Sequence, residues 1–206
     1  MTIAILGLGN MGKGLAKRLA GKTDLVLGAR DAAKDAAVGK ELGAPVLGFA
    51  GAVAKADIVV LALPFGAALE AAKALDLAGK VVVDMSNPVK PDYSGLAIGF
   101  DTSAAEQIQA AAPKAHVVKA FNTVFAGLFA APVGETAKVP VFLAGNDEAA
   151  VKAVAGLVGQ AGFAVETTGG VDAARLLEPV GMLNIRFGYG LGRGTAIDPA
   201  WLKLAA

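Results

Sequence analysis

Three closely spaced glycines near the start of the chain, Gly7, Gly9 and Gly12, constrain the fold more than any other feature. They lie in "ILGLGNMGKG" with the spacing G-x-G-x-x-G. The apolar run before them, at 2–6, predicts a β-strand, and the segment after them, at 11–21, has leucines four residues apart and predicts a helix. Because the chain has 27 glycines, the spacing alone is weak evidence. The spacing is informative here because it lies between a predicted strand and a predicted helix, where it forms the turn that joins them.

The same alternation continues along the chain. Further strands are predicted at 24–29, near 46, and at 57–63, 80–85, 116–121, 139–145 and 163–168, with helices at 32–42, 66–75, 102–112, 147–161 and from about 171. Continuous apolar strands separated by helices indicate a parallel sheet covered on both faces. The predicted fold is therefore a doubly wound α/β parallel sheet, the Rossmann fold, with a C-terminal α/β extension. We expect a single domain with a core at 1–134 and an extension at 135–206 packed on it.

A glycine turn in this position is of the type that binds the pyrophosphate of a dinucleotide. The first glycine makes the tight turn, the second admits the pyrophosphate to the backbone, and the third lets the helix pack against the strand. The predicted cofactor-binding residues of the turn are Gly7, Leu8, Gly9, Asn10, Met11 and Gly12. The alternative is a glycine turn that joins strand to helix without a ligand.

The end of the second predicted strand, "GARDAAK", bears on the choice of cofactor. Folds that bind NAD place an acidic residue about 20 residues beyond the turn, where it accepts hydrogen bonds from the ribose 2′-hydroxyl. Here Ala29 is followed by Arg30, and Lys34 lies four residues later. Two cations suit the 2′-phosphate of NADP, although both could be solvated surface charges. Asp31 could bind the ribose, and a helix N-cap is the simpler role for it.

Ligands of open α/β sheets lie beyond the carboxyl ends of the strands, so several loops are expected to meet in one crevice. The predicted cofactor contacts in the later loops are Leu63, Pro64, Phe65, Ser86, Asn87 and Asn122. The first three would border the nicotinamide riboside, and the polar ones could bind its ribose or carboxamide. Alternatively, the proline ends a strand and Asn122 caps the following helix.

The sequence shows no evident pair of catalytic acid and base. Asp84 is expected to be an internal hydrogen-bonding group, and His116, at the start of a strand, a structural or surface residue. Hydride transfer between cofactors depends on stacking and distance more than on a protein acid, because the cofactors supply the chemistry. A catalytic side chain is therefore not required, and Asn122 is the candidate for orienting the reactants.

Composition excludes several other classes of function. Nineteen basic and eighteen acidic residues give a net charge of +1, which favours neither nucleic acid nor an anionic membrane as a partner. The absence of cysteine excludes disulfides and thiolate metal sites, and a single histidine leaves little basis for a metal cluster. No secretory leader or membrane span is expected. We expect a cytoplasmic protein.

Several segments also carry a family resemblance. These are "GLGNMGKGLAKRLA", "GAR", "VVVDMSNP", "VVKAFNTV", "AGNDEAA" and "RLLEPVGMLNIRFGYGLG". In order and approximate spacing, the chain resembles the NADPH-dependent reductases of the deazaflavin coenzyme F420 over nearly its whole length. The resemblance implies that Arg30 and Lys34 hold the 2′-phosphate of NADP. Two hydroxyl residues that family members often have there are replaced by Leu8 and Ala29, and "AFNTVF" departs from the histidine found in true F420 reductases.

The resulting hypothesis is an NADP(H)-dependent oxidoreductase that transfers hydride between NADPH and a flavin-like or F420-like acceptor. The predicted acceptor pocket consists of Thr123, Phe125, Met182 and Ile185. A reductase of small imines or carbonyls and a non-catalytic NADP(H)-binding sensor are the alternatives. The apolar tail residues Ile197, Trp201 and Leu202 are expected to pack on the body or on a second subunit, and the resemblance favours a homodimer.

Overall fold

A computed structural model describes residues 1–201 and contains one eight-stranded sheet with helices on both faces. The strands are β1 Thr2–Leu6, β2 Asp24–Gly28, β3 Val46–Leu47, β4 Ile58–Leu61, β5 Val81–Asp84, β6 His116–Lys119, β7 Pro140–Gly145 and β8 Ala164–Thr167. Their order in the sheet is β3-β2-β1-β4-β5-β6-β7-β8. The pairings among β1 to β6 are parallel, β7 runs antiparallel to β6, and β8 is parallel to β7. The α/β fold predicted from the sequence is confirmed.

The helices follow the predicted alternation. They are α1 Asn10–Leu19, α2 Ala36–Leu42, α3 Phe49–Ala54, α4 Phe65–Ala74, α5 Ala104–Ala111, α6 Val133–Thr136, α7 Glu148–Gln160 and α8 Ala174–Ile185. Short 3₁₀ turns occupy Ala126–Ala130 and Val171–Ala173, and α8 continues into a π-helical turn at Arg186–Gly190. The helix predicted at 32–42 begins only at Ala36, because the Asp31 carboxylate accepts a hydrogen bond from the Lys34 amide and forms a turn first.

The central strands are mostly apolar because helices cover both faces of the sheet. In β1, Ile3 and Ile5 enter the core that contains Leu15 and Leu19 of α1, and Ala4 and Leu6 enter the opposite core. The second core contains the buried alanines of α3, α4 and α5, whose small side chains allow these helices to lie close to the sheet. Alternation within a strand therefore divides its residues between two cores.

The C-terminal part of the chain continues the sheet. The antiparallel pairing of β7 with β6 adds β7 and β8 beyond the six parallel strands, and α7 packs on the same core as α1. Arg18 of α1 also contacts this part through Thr136, since its buried guanidinium donates to the Thr136 Oγ1 at 3.4 Å as well as to the carbonyls of Leu128, Phe129 and Ala131. The division into a core at 1–134 and an extension at 135–206 stays a prediction.

Two of the three tail residues can be placed. Ile197 is half-buried, and Trp201 is 74% exposed with its ring edge-on to Phe142 at a centroid distance of 5.4 Å. Leu202 lies outside the described residues. Within residues 1–201, no helix combines the length and apolar character needed to cross a bilayer. The same residues contain no cluster of three or more acidic or histidine side chains placed to hold a metal ion.

Candidate active site

The glycine turn between β1 and α1 shows which glycines the fold itself requires. Gly7 has φ +97°, and a Cβ there would lie 2.5 Å from the Ala62 carbonyl oxygen. A Cβ on Gly12 would overlap the Gly7 carbonyl oxygen. Gly9 differs, because its φ of −74° and ψ of −168° suit any residue and an added Cβ would meet nothing within 4 Å. The fold therefore explains two of the glycines, and the free space at Gly9 is what close approach of a ligand requires.

The amino end of α1 faces this free space with unsatisfied donors. Gly9 occupies the N-cap position without a side-chain cap, and the first turn has no acidic residue. The free amides and the positive end of the helix dipole therefore suit an anion such as pyrophosphate. Leu8 lines the groove and Asn10 is exposed, whereas Met11 packs against the core on the α1 side of the sheet.

Two cations lie beside the turn. We call the cavity here the phosphate groove; it has a volume of about 610 Å³ and is lined by Gly7, Leu8, Gly9, Ala29, Arg30, Asp31, Lys34, Asp35, Phe49, Ala62, Leu63 and Pro64. The side chains of Arg30 and Lys34 are both exposed at its rim. Asp31 is engaged with the Lys34 amide in the turn before α2, at 3.2 Å. The groove thus brings together a helix amino end and two positive charges, which fits a dinucleotide with a 2′-phosphate.

Two further cavities continue along the same edge of the sheet. The middle groove, of about 350 Å³, is lined by Pro64, Phe65, Gly66, Asn87, Pro88, Val89, Lys90, Pro91, Tyr93 and Ala97. The aromatic pocket, of about 660 Å³, is lined by Tyr93, Ser94, Met182, Ile185, Arg186, Tyr189 and Gly190. Pro64 belongs to both the phosphate groove and the middle groove, and Tyr93 belongs to both the middle groove and the aromatic pocket. The three cavities therefore adjoin one another in series.

Behind the middle groove, polar side chains from two loops form a buried cluster. Asn87 donates from Nδ2 to the Asn122 carbonyl at 2.6 Å, and Asn122 donates from Nδ2 to the Asn87 Oδ1 at 3.0 Å. The Ser86 Oγ, the Asn122 Oδ1 and the Thr123 Oγ1 are buried without a hydrogen-bond partner among the described residues. Buried polar atoms are usually hydrogen-bonded, so these three atoms are candidates for binding ordered water or a polar group of a ligand.

The backbone at the end of β6 gives this cluster its position. Phe121 has φ +61°, a conformation that costs a non-glycine residue about 1–3 kcal/mol, and its ring is buried against Phe129 and Phe163. The turn directs Asn122 toward α8, where its Nδ2 also donates to the Leu177 carbonyl at 2.9 Å. Asn122 does not cap the next helix, because the following 3₁₀ turn begins after Phe125 without a side-chain cap.

Two of the four residues predicted for the acceptor pocket line the aromatic pocket. Met182 and Ile185 do so with Arg186 and Tyr189, since positions i, i+3, i+4 and i+7 share one side of a helix. Phe125 lies behind the wall, where its ring meets that of Tyr189 edge-on at 5.5 Å. Thr123 is also behind the wall, and its carbonyl accepts a hydrogen bond from Asn184. The sequence does not distinguish Met182 and Ile185, which line the pocket, from Thr123 and Phe125 behind them. All four residues are buried or half-buried.

A buried charged cluster at the same edge was not predicted. Lys119, at the end of β6, is fully buried, and its ammonium lies 2.8 Å from the Asp84 carboxylate and 2.7 Å from the Glu178 carboxylate. Burial raises the pKa of Glu178, against the opposing attraction of Lys119. The available signals were a lysine inside the apolar run "HVVKAF" and a glutamate inside an apolar helix. Asp84 is internal, as expected, and His116 is exposed at the opposite end of β6 beside Asp147.

Comparison with known proteins places this geometry among reductases. The family described as NADP oxidoreductase, coenzyme F420-dependent, matches residues 2–88. A protein from Methanocaldococcus jannaschii named F420-dependent NADP reductase is 32% identical over 201 residues, covering 87% of this chain and 89% of the relative. A solved structure from Arthrobacter sp. FB24, whose proposed activity is F420-dependent NADP reduction, is 34% identical with a TM-score of 0.82, covering 95% and 96% of the two chains.

More distant structures share the fold. An imine reductase from Pseudomonas sp. is 16% identical with a TM-score of 0.71, and the match covers 93% of this chain and 63% of that one. A 3-hydroxyisobutyrate dehydrogenase from Mycobacterium tuberculosis is 20% identical with a TM-score of 0.65, covering 86% and 57%. At these identities the likeness concerns the dinucleotide-binding fold alone.

The free space at Gly9 leads to a direct test. Gly9→Val places a side chain in the phosphate groove without a clash with the protein, so we expect a folded variant that no longer binds NADPH. Calorimetric titration measures the binding, and circular dichroism checks the fold. Gly159→Val adds the same side chain to an open surface of α7 and should bind NADPH as the wild type does. Undiminished binding by Gly9→Val would remove the glycine turn from the site.

Proposed function

Because the chain belongs to the F420-dependent NADP oxidoreductase family, we propose that it transfers hydride between NADPH and a flavin-like or deazaflavin acceptor in the aromatic pocket. The observation that supports this most is the series of adjoining cavities, joined at Pro64 and Tyr93. A dinucleotide anchored at the glycine turn extends along this series toward the aromatic pocket. An acceptor in that pocket would lie next to the nicotinamide end.

Each part of the cofactor has protein groups suited to it. The amides of the turn that starts at Gly7 and the amino end of α1 would hold the pyrophosphate, and Arg30 and Lys34 the 2′-phosphate. Leu63, Pro64 and Phe65 border the nicotinamide end, with Ser86, Asn87 and Asn122 for its polar groups. NADPH supplies the hydride. The protein's own work is to hold both reactants at transfer distance and to exclude water.

The aromatic pocket suits a planar heterocycle. Tyr93 and Tyr189 contribute rings, Met182 and Ile185 contribute apolar surface, and Arg186 contributes a positive charge. A flavin or deazaflavin has the flat apolar face that such a wall can cover, and an anionic side chain that a guanidinium can bind.

A reductase of small imines or carbonyls is the competing enzyme. The two tyrosine hydroxyls of the aromatic pocket are the groups that would donate its proton. An acceptor screen with NADPH, including F420, FMN and cyclic imines and followed by loss of nicotinamide absorbance, separates these functions. A protein that binds NADPH but reduces no acceptor would instead be the non-catalytic sensor.

We also propose a homodimer in the cytoplasm. Leu176 and Leu183 of α8 and Trp201 of the tail are exposed apolar residues that a second copy of the chain would cover. The absence of cysteine agrees with a reducing compartment, where the NADPH pool is also found. Light scattering of the full-length protein should give twice the chain mass of 20.5 kDa. A mass of one chain would exclude the dimer.

The two cations at the phosphate groove predict a preference for NADPH over NADH. Arg30→Ala should weaken NADPH binding by about tenfold, since one charge-assisted hydrogen bond contributes about 1.5 kcal/mol or more. NADH affinity should change little, and the preference should decrease with added salt. Dissociation constants for both nucleotides measure this, with Lys40→Ala, an exposed cation on α2, as the charge-matched control. If Arg30→Ala weakened the binding of NADPH and NADH equally, Arg30 would not hold the 2′-phosphate. Asp31 would then be the better candidate for binding the ribose.

Filling the aromatic pocket tests where the acceptor binds. Met182→Trp places an indole in the pocket, so acceptor reduction should fall while the dissociation constant for NADPH stays near the wild-type value. Lys73→Trp introduces the same indole on α4, at a side chain that is 54% exposed and outside the pocket lining, and should leave the rate unchanged. If Met182→Trp reduces F420 and FMN at the wild-type rate, the acceptor binds elsewhere.

A further inference from the structure

The ammonium of Lys119 makes three hydrogen bonds inside the protein. Its Nζ donates to the Asp84 Oδ2 at 2.8 Å, to the Ser86 carbonyl at 2.6 Å and to the Glu178 Oε1 at 2.7 Å. An ammonium has three protons, so every donor is used. The residue has no exposed surface, and therefore its ammonium donates to these three protein groups and not to water.

One side of this arrangement holds the loop at the nicotinamide end. Lys119 binds the Ser86 carbonyl, and the Asp84 Oδ1 accepts a hydrogen bond from the Ser86 amide at 2.8 Å. Both backbone groups of Ser86 are thereby tied to the ends of β5 and β6. The next residue, Asn87, lines the middle groove.

The other side holds the helix that forms the aromatic pocket. Glu178 lies in α8, one turn before Met182 and two turns before Ile185. Its carboxylate also accepts hydrogen bonds from the backbone amides of Ala104 and Ala105, the first two residues of α5. A single carboxylate of α8 therefore binds both β6 and α5.

Burying these charges costs free energy, which indicates that the cluster fixes the geometry of its neighbours and is not needed for stability alone. Two carboxylates and one ammonium are removed from water here, and well-packed apolar residues in place of such groups are often as stabilising or more so. What apolar packing does not provide is a set of directional bonds between a loop and a helix. Lys119 is bonded to both, from the strand between them.

We propose that Lys119 is a positioning residue, which holds the Ser86–Asn87 turn and helix α8 at the separation needed for hydride transfer. This inference rests on the proposed function. The bonds of Lys119 connect the middle groove, where the nicotinamide end would lie, to the aromatic pocket, where the acceptor would lie. The phosphates of NADPH would be held separately, by the glycine turn and Arg30 in the phosphate groove.

Lys119→Met tests this separation of roles, since it keeps the length of the side chain and removes its three hydrogen bonds. NADPH affinity should stay within about threefold of wild type, because the phosphate groove is unaffected. Single-turnover hydride transfer to F420 or FMN should fall more than about tenfold, because small errors in the placement of reactants cost large factors in rate.

Arg175→Met is the matched control. Arg175 also ties α8 to α5, through two hydrogen bonds to Glu106 at 2.8 and 2.6 Å, but its side chain is 39% exposed and does not bond to the Ser86 loop. Its transfer rate should stay within about twofold of wild type, as expected for a partly exposed ion pair. A loss as large as that of Lys119→Met would show that any loosening of α8 suffices and would overturn a specific role for Lys119.

A second pair of variants covers the case in which Lys119→Met does not fold. Glu178→Gln keeps an oxygen that accepts from Lys119, whereas Glu178→Leu does not. We expect the glutamine variant to retain most of the transfer rate and the leucine variant to lose it, with NADPH affinity kept in both. Hydrogen exchange should report faster opening of the amides at 85–88 in the leucine variant alone. Equal rates and equal exchange in the two variants would overturn the inference.

The outcomes also separate this inference from the proposed function. A wild-type protein that transfers hydride to none of the acceptors would overturn the proposed function, and the inference with it. Transfer by wild type and by a folded Lys119→Met variant at the same rate would overturn the inference alone.

Discussion

Parallel pairing of β1 to β6 is the constraint on which every part of the site depends. Parallel strands place all their carboxyl ends at one edge of the sheet, so the loops that follow β1, β4, β5 and β6 meet there although they are far apart in sequence. The loops after β1 and β4 line the phosphate groove together with the segment after β2, and the loops after β4 and β5 line the middle groove. Helix α8 then closes the same edge through Glu178, Leu177 and Asn184, which bond to β6, Asn122 and Thr123.

Backbone packing and ligand binding require glycine at different positions of the same turn. Gly7 and Gly12 bring β1, α1 and the loop after β4 into close contact, and larger side chains at either position would collide with backbone atoms. Gly9 has no such neighbour. Gly7 and Gly12 therefore serve folding, and we propose that Gly9 serves the cofactor. This division explains how a glycine turn can be both part of the core and a binding site.

Local patterns predicted the elements and the phosphate groove because the information for both is local. The strands at β1, β4, β5 and β6 are continuous apolar runs, and the glycine turn and Arg30 lie at fixed distances from them. Met182 and Ile185 were predicted as part of an apolar wall for the acceptor, and α8 brings them to the aromatic pocket. The Lys119 cluster was missed because Asp84 and Glu178 are 35 and 59 residues away from Lys119 in sequence. No spacing rule connects them; only the sheet order and the position of α8 do.

In the proposed reaction, the nicotinamide and the acceptor lie side by side, with direct hydride transfer between them. NADPH deuterated at either of its two transferable positions, incubated with the protein and oxidised F420, tests this most directly. Direct transfer should deliver deuterium from one of the two labelled forms to the ring carbon of the reduced deazaflavin, as detected by mass spectrometry, without loss to solvent. Deuterium that appears in water, or reduced acceptor free of label from both forms, would contradict it.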